Sequence, residues 1–260
     1  MSATPITSWW GIRTPRRLLA VVGAGLALAG LALFAVLLDG VREQADLSAW
    51  DSPLLSWLLA HRTPVATAAF ARISWLADPP VLATVVAAIV LVLVWRTRLA
   101  RPGLLLGAAM GLALATSSTI KVLVARPRPP VAEMITPAEL NFAFPSGHTL
   151  GAAVFLLVGT YLCWTWRPTL PVALVGVVVS GFGTVAVATS RLYLGYHWFT
   201  DVTASMTLAV AILGIVILVD PLLPERARQP LFGPPVPGPV AHSDDHPVNP
   251  LSPGAACAGP

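Results

Sequence analysis

The sequence predicts an all-α fold: a polytopic membrane helical bundle of six transmembrane helices, with short interfacial helices between them. Three observations carry this. Of the 260 residues 56% are hydrophobic and 11% charged, against the roughly one quarter charged that is usual for a soluble domain. Mean hydropathy is +0.76. Six apolar stretches reach the roughly 17 to 25 residues that cross a bilayer as a helix: 18–38, 79–95, 103–124, 148–164, 169–189 and 199–219.

The first stretch follows Arg13, Arg16 and Arg17, which resembles the start of a secretory signal, even a twin-arginine one. It is too long for a signal-peptide core and no small-x-small site precedes Asp39, so it reads as a retained signal anchor. The segment 39–78 is long for a simple connection. Within it Ser52-Pro53 and Thr63-Pro64 each look like a helix cap followed by proline in the first turn. Two short helices carrying Trp57, Phe70 and Trp75 are expected there, either lying in the interface to gate lipid access or packing over the bundle. The second and fourth spans, 79–95 and 148–164, sit near the short limit. The third ends at Lys121 and the prolines Pro127, Pro129 and Pro130, which stop a helix and hold extended backbone. In the fifth, Gly176, Ser180, Thr184 and Ala188 form a stripe of small residues that permits close helix approach. Past Leu223 the chain turns to Pro, Gly and Ala, a composition that cannot bury a core. The expected organisation is a cytoplasmic tail at 1–16, a membrane domain at 17–223 and a disordered Pro-rich tail at 224–260.

Arginine placement gives an orientation. With the N-terminus inside, Arg13, Arg16, Arg17, Arg96, Arg98, Arg101, Arg167, Arg226 and Arg228 are cytoplasmic, while Arg42, Arg62, Arg72 and Arg126 lie outside. Both termini are then cytoplasmic, in a multi-pass protein of the cell (plasma) membrane. Net charge is +4, but no basic run or basic helix face accompanies it, so a nucleic-acid partner is not expected. Cys163 and Cys257 make neither a disulfide framework nor a zinc spacing. The cluster His242-Ser243-Asp244-Asp245-His246 in the tail reads as solvated polar chain rather than a metal site.

Ionisable residues at membrane depth are costly and point to function, and here they gather in three blocks at span ends. Lys121 is followed by Arg128-Pro129, where stiff backbone suits an arginine presenting a planar fork to phosphate. Pro145-Ser146-Gly147-His148 opens the fourth span, with Ser146 as cap, Gly147 allowing close backbone approach, and first-turn amides facing any anion. Ser190-Arg191 closes the fifth, and His197 and Asp201 stand four residues apart at the start of the sixth, a spacing that puts both on one helical face if the helix has begun. Asp201 can accept the proton of one imidazole nitrogen and leave the other free to attack. Singly, each block also has a structural reading: snorkelling cations, simple capping, an interfacial aromatic-histidine cluster. Together, three cations, two histidines and a carboxylate are the inventory for holding and attacking a phosphate. All three blocks fall on the outer face.

In order and spacing these blocks resemble the type 2 phosphatidic acid phosphatase family, with its pattern Lys-x6-Arg-Pro, Pro-Ser-Gly-His and Ser-Arg-x5-His-x3-Asp. Lys121, Arg128, Pro129, Pro145, Ser146, Gly147, His148, Ser190, Arg191, His197 and Asp201 match it without departure. Arg126-Pro127 is a second, out-of-register Arg-Pro, so spacing assigns Arg128. The resemblance implies a metal-independent, cofactor-free lipid phosphatase. Lys121, Arg128, Ser146, Gly147 and Arg191 would cradle phosphate, His197 would be the nucleophile oriented by Asp201, and His148 the general acid and then base. It is similar also to soluble acid phosphatases and vanadate-dependent haloperoxidases, but motifs on membrane spans favour a membrane lipid phosphate as partner. An outward-facing site makes polyprenyl diphosphate the leading expectation, followed by phosphatidic acid and phosphatidylglycerol phosphate. A phosphotransferase using the same residues and a non-catalytic anion-binding transporter or scaffold are the rival readings; the sequence leaves oligomeric state open.

Overall fold

Apolar chain in lipid must satisfy its backbone polar groups internally. In the computed structural model, which describes residues 16–97, 100–135 and 137–223, it does so with helices: α1 (Arg16–Glu43), α2 (Asp51–Ala60), α3 (Pro64–Leu76), α4 (Pro79–Thr97), α5 (Arg101–Val124), α6 (Gly147–Trp166), α7 (Leu170–Tyr193) and α8 (Phe199–Val219). The expected tails, with the cluster at His242 to His246, lie outside the described residues. Six of these helices, all but α2 and α3, are long and apolar enough to cross a membrane. They correspond to the six expected stretches, α1 and α7 running about a turn further at their C-terminal ends and α8 having the same bounds. Polar ends such as Arg42 and Glu43 on α1 need only clear the apolar slab, so the helix continues through them.

The connection between α1 and α4 holds the two short helices, with one correction. Thr63 caps α3 as expected, its Oγ1 accepting from Ala66 N at 3.2 Å. Ser52 does not cap α2. A 3-10 turn at Asp46–Trp50 runs straight into that helix, which begins at Asp51 with no side-chain cap bond. Asp51 is instead turned inward, to Thr200 on α8.

Backbone contact sets the packing. A Cβ at Gly30 of α1 would stand 2.6 Å from Ala211 N, and one at Gly214 of α8 2.4 Å from Ala27 N, so these two helices touch main chain to main chain. The small-residue stripe of α7 meets α6: Thr160 Oγ1 lies 3.1 Å from Gly176 O and 2.9 Å from Ser180 Oγ. The core runs through Phe34, Leu106, Leu150, Val154, Leu208 and Ile212 of α1, α5, α6 and α8. At the end of the bundle away from α2 and α3, Arg101 Nε donates to Asp220 Oδ1 at 2.5 Å and Tyr161 Oη to Oδ2 at 2.6 Å. That ties α5 and α6 to the turn closing α8.

Candidate active site

At the other end, the C-termini of α5 and α7 meet the N-termini of α6 and α8, and every expected site residue lies there. Ser146 is the N-cap of α6, its Oγ accepting from Thr149 N at 3.4 Å and lying 3.1 Å from Thr149 Oγ1. Its hydroxyl is thus engaged locally, and the block's free donors are the first-turn amides. At Gly147 a Cβ would meet nothing nearer than Ser117 Oγ at 3.7 Å. His148, in the first turn, points Nε2 at Asp78 Oδ1 3.2 Å away.

His197 precedes α8, which begins at Phe199. Its pairing with Asp201 is therefore a helix-cap arrangement rather than two positions on one helical face. Asp201 Oδ2 reaches back to accept from Trp198 N at 2.9 Å and stands 3.2 Å from His197 Nδ1. Both side chains are buried, at 1% and 0% exposure. With Nδ1–H donated to the carboxylate, Nε2 keeps its lone pair, and it lies 3.2 Å from Arg128 Nη1. Burial, reinforced by the charges of Arg128, Arg191 and Lys121, pushes the His197 imidazole well below its usual pKa, so the ring is neutral at neutral pH.

The cations converge from separate elements. Arg128 is braced by Asn141, with Nε donating to its carbonyl at 2.7 Å, and by Tyr196 O at 2.6 Å from Nη1. Arg191 is packed under the ring of Tyr196, 4.3 Å from its centroid, and donates to Ser74 Oγ of α3 at 2.6 Å. Among the described residues its buried Nε has no hydrogen-bond partner, a donor left for an incoming oxygen. Glu139 bridges the two guanidiniums, 2.8 Å from Arg128 Nη2 and paired with Arg191 Nη2. Burial works to raise the Glu139 pKa, but the two arginines overcome it and hold the carboxyl below its usual range. Lys121 stands beside this group and donates to the carbonyl of Phe142 at 2.5 Å.

The structure thus gathers His197, Asp201, Arg128, Arg191, His148, Lys121 and the Ser146–Gly147 turn at one end of the bundle, where His148 and Arg191 line a cleft. Six contributors are not among the residues expected from sequence: Asp51, Ser74, Asp78, Arg126, Glu139 and Thr200. Only Arg126 had a visible signal, the doubled Arg-Pro; the others arrive from distant segments. The cleft, of 620 Å³, is lined by Ser74, Asp78, Glu139, His148, Arg191 and Tyr196. Beside it an apolar groove of 410 Å³ runs between α4 and α5 from Ser117 and Gly147 to Val90 and Gly103, a stretch of roughly 21 Å at 1.5 Å per helical residue.

Fold and site together define a polytopic helical membrane protein with an arginine- and histidine-bearing cleft at one end of its bundle. Residues 102–223, which carry all three blocks, match the family model of the PAP2 superfamily. The chain is 39% identical to phosphatidylglycerophosphatase B of Escherichia coli K12 over 77 residues, 30% of this chain and 28% of that protein. It is 32% identical to phosphatidylglycerophosphatase B of Bacillus subtilis over 128 residues, 49% of this chain and 62% of that one. The matched stretch therefore spans less than two thirds of either relative. Among solved structures, the transmembrane PAP2-type phosphatidylglycerolphosphate phosphatase from Bacillus subtilis superposes with a TM-score of 0.66 at 23% identity, covering 75% of this chain and 98% of that one. LpxE of Aquifex aeolicus superposes with a TM-score of 0.52 at 20% identity, over 65% of this chain and 94% of that one. These two likenesses concern the fold.

Proposed function

We propose that the chain is a hydrolase of lipid phosphates working through a phosphohistidine. The observation that carries the reading is His197, buried, with Nδ1 3.2 Å from Asp201 Oδ2 and Nε2 3.2 Å from Arg128 Nη1. In the proposed reaction the substrate phosphate displaces Glu139 from Arg128 and Arg191, and the first-turn amides of α6 with Lys121 complete the cradle. Nε2 attacks phosphorus as the phosphorus–oxygen bond to the lipid breaks. His148 delivers a proton to the departing alkoxide. Asp201 balances the positive charge on the phosphorylated ring. His148, now a base, takes a proton from water; the resulting hydroxide attacks phosphorus, the P–N bond breaks, and neutral His197 and inorganic phosphate result.

The groove beside the cleft suits an acyl or prenyl chain, which supports a lipid-borne phosphate. The relatives' names put phosphatidylglycerol phosphate first among substrates, with polyprenyl diphosphate and phosphatidic acid as the other two to compare. The arginine distribution supports a plasma-membrane protein with cytoplasmic termini and an outward-facing cleft.

The test is phosphate release from these three lipids by the purified protein in detergent with chelator present, beside His197→Ala. Release that resists chelator and is lost in the variant is expected; equal release from both proteins would sink the reading. The pH–rate profile should be bell-shaped. Because the His197 pKa is depressed, the nucleophile stays unprotonated down to pH values below the usual 6.5, so the acid limb should fall below that value.

A further inference from the structure

We propose that Arg126 is a positioning residue for this reaction: its guanidinium fixes Asp201, the carboxylate that holds the attacking imidazole, and Asp51 fixes Arg126 in turn. The inference rests on the reading of His197 as nucleophile with Asp201 as its partner. Arg126 lies two residues before the phosphate-facing Arg128 and touches neither His197 nor the cleft. Its fork instead spans two buried carboxylates. Nη1 lies 2.5 Å from Asp201 Oδ1 and Nη2 lies 2.5 Å from Asp51 Oδ2. Asp201 is 0% and Asp51 4% exposed.

The two oxygens of Asp201 therefore have separate duties. Oδ2 serves Trp198 N and His197 Nδ1, while Oδ1 is taken by Arg126 alone among the described side chains. A fully buried carboxylate with one oxygen unpaired would protonate or turn, and either change spoils the acceptor that His197 needs. Asp51 comes from α2 and is itself seated on the first turn of α8. Thr200 N donates to Oδ1 at 2.9 Å and Thr200 Oγ1 to Oδ2 at 2.8 Å. Arg126 Nη1 also donates to Thr200 Oγ1 at 2.8 Å. Its own main chain is held, Ala143 N donating to Arg126 O at 2.9 Å just ahead of the Pro145 turn. One guanidinium thus locks α2, the segment after α5 and the start of α8 around the nucleophile's partner. A lysine carries the same charge but lacks the planar fork that reaches both carboxylates.

The titratable and charged groups facing the His197–Asp201 pair are Arg126 and Asp51 on the Asp201 side, Arg128 against Nε2, and Lys121, Arg191 and His148 beyond it. Deleting the Arg126 cation makes the pair take up a proton more readily. Activity should then be lost at a higher pH on the acid side, by about one pH unit.

The experiment compares Arg126→Gln, Arg126→Lys and the double variant Arg126→Gln/Asp51→Asn with the parent, full-length in detergent, on phosphatidylglycerol phosphate or the best lipid of the three. It reads kcat, KM, the pH profile and Tm. Arg126→Gln should lower kcat roughly 100-fold with KM little changed, raise the acid limb, and lower Tm because buried Asp51 keeps its Thr200 bonds but loses its countercharge. Arg126→Lys should recover part of kcat. The double variant should regain Tm without regaining kcat or the acid limb. A parent-like acid limb in Arg126→Gln, or parent-like kcat in the double variant, would overturn the proposal and leave Arg126 a structural tie. Turnover surviving in His197→Ala is a different failure, removing the nucleophile itself.

Discussion

Glu139 stands between Arg128 and Arg191, where the proposed reaction seats the phosphate, and is 28% exposed on its side chain. A carboxylate there has two consequences. It keeps two buried guanidiniums compensated while the cleft is empty, and it competes with any anion that arrives. Replacing it by the neutral isostere removes the competitor while keeping most of the volume. Glu139→Gln should therefore tighten inhibition by inorganic phosphate roughly tenfold at neutral pH, the low end of what a charge-assisted hydrogen bond contributes. An unchanged inhibition constant would show that the carboxylate yields without cost. Glu139 also shows what the sequence does not disclose at this scale. Lys121, Arg128, His148, Arg191, His197 and Asp201 are legible because the proposed chemistry requires those residue types at fixed offsets from helix ends. Glu139, Ser74 and Asp51 obey no such spacing. Ser74 meets Arg191 across 117 positions and Asp51 meets Thr200 across 149, and only the folded chain connects them.

Helix contacts reach the site through the element that carries Asp201. That element, α8, is pressed against α1 at Gly30 and Gly214, where a Cβ would stand 2.6 Å and 2.4 Å from the facing backbone. No side chain can yield there, so bulk must move the helix. At Gly25, also on α1, a Cβ would meet nothing within 4 Å. Gly214→Val should therefore lower Tm by several degrees, consistent with ~1–3 kcal/mol of overpacking, and reduce activity as the start of α8 shifts. Gly25→Val should leave both near the parent values. Equal melting temperatures would show that α1 and α8 slip past each other freely. The corresponding stripe on α7 is legible in the sequence because its small residues recur every fourth position. The α1–α8 contact is not, since Gly23, Gly25 and Gly30 look alike in a helix that is apolar all round, and only packing tells which of them faces a neighbour.

The whole molecule has two chemically distinct ends. One gathers His148, His197, Arg128, Arg191 and Lys121; the other is closed by Arg101, Asp220 and Tyr161. Between them side chains such as Val21, Leu28, Leu174 and Phe182 are widely exposed, as lipid-facing positions are. Six spans are legible because lipid imposes length and apolarity on each helix separately. Orientation rests on a different and weaker signal, the excess of arginines on one side, and packing leaves it free, because the same bundle fits a bilayer either way up. Under the proposed lipid-phosphatase reading it decides which leaflet's lipids meet the cleft. In a Cys163→Ser/Cys257→Ser background, Leu140→Cys probes the cleft end at a position 86% exposed. Arg167→Cys probes the opposite end, in the exposed connection between α6 and α7. A membrane-impermeant maleimide on intact cells should label Leu140→Cys and reach Arg167→Cys only after permeabilisation. The reverse pattern would turn the cleft toward the cytoplasm and remove externally presented carrier lipids from the substrates to be considered, leaving those delivered to the inner leaflet by cytoplasmic synthesis.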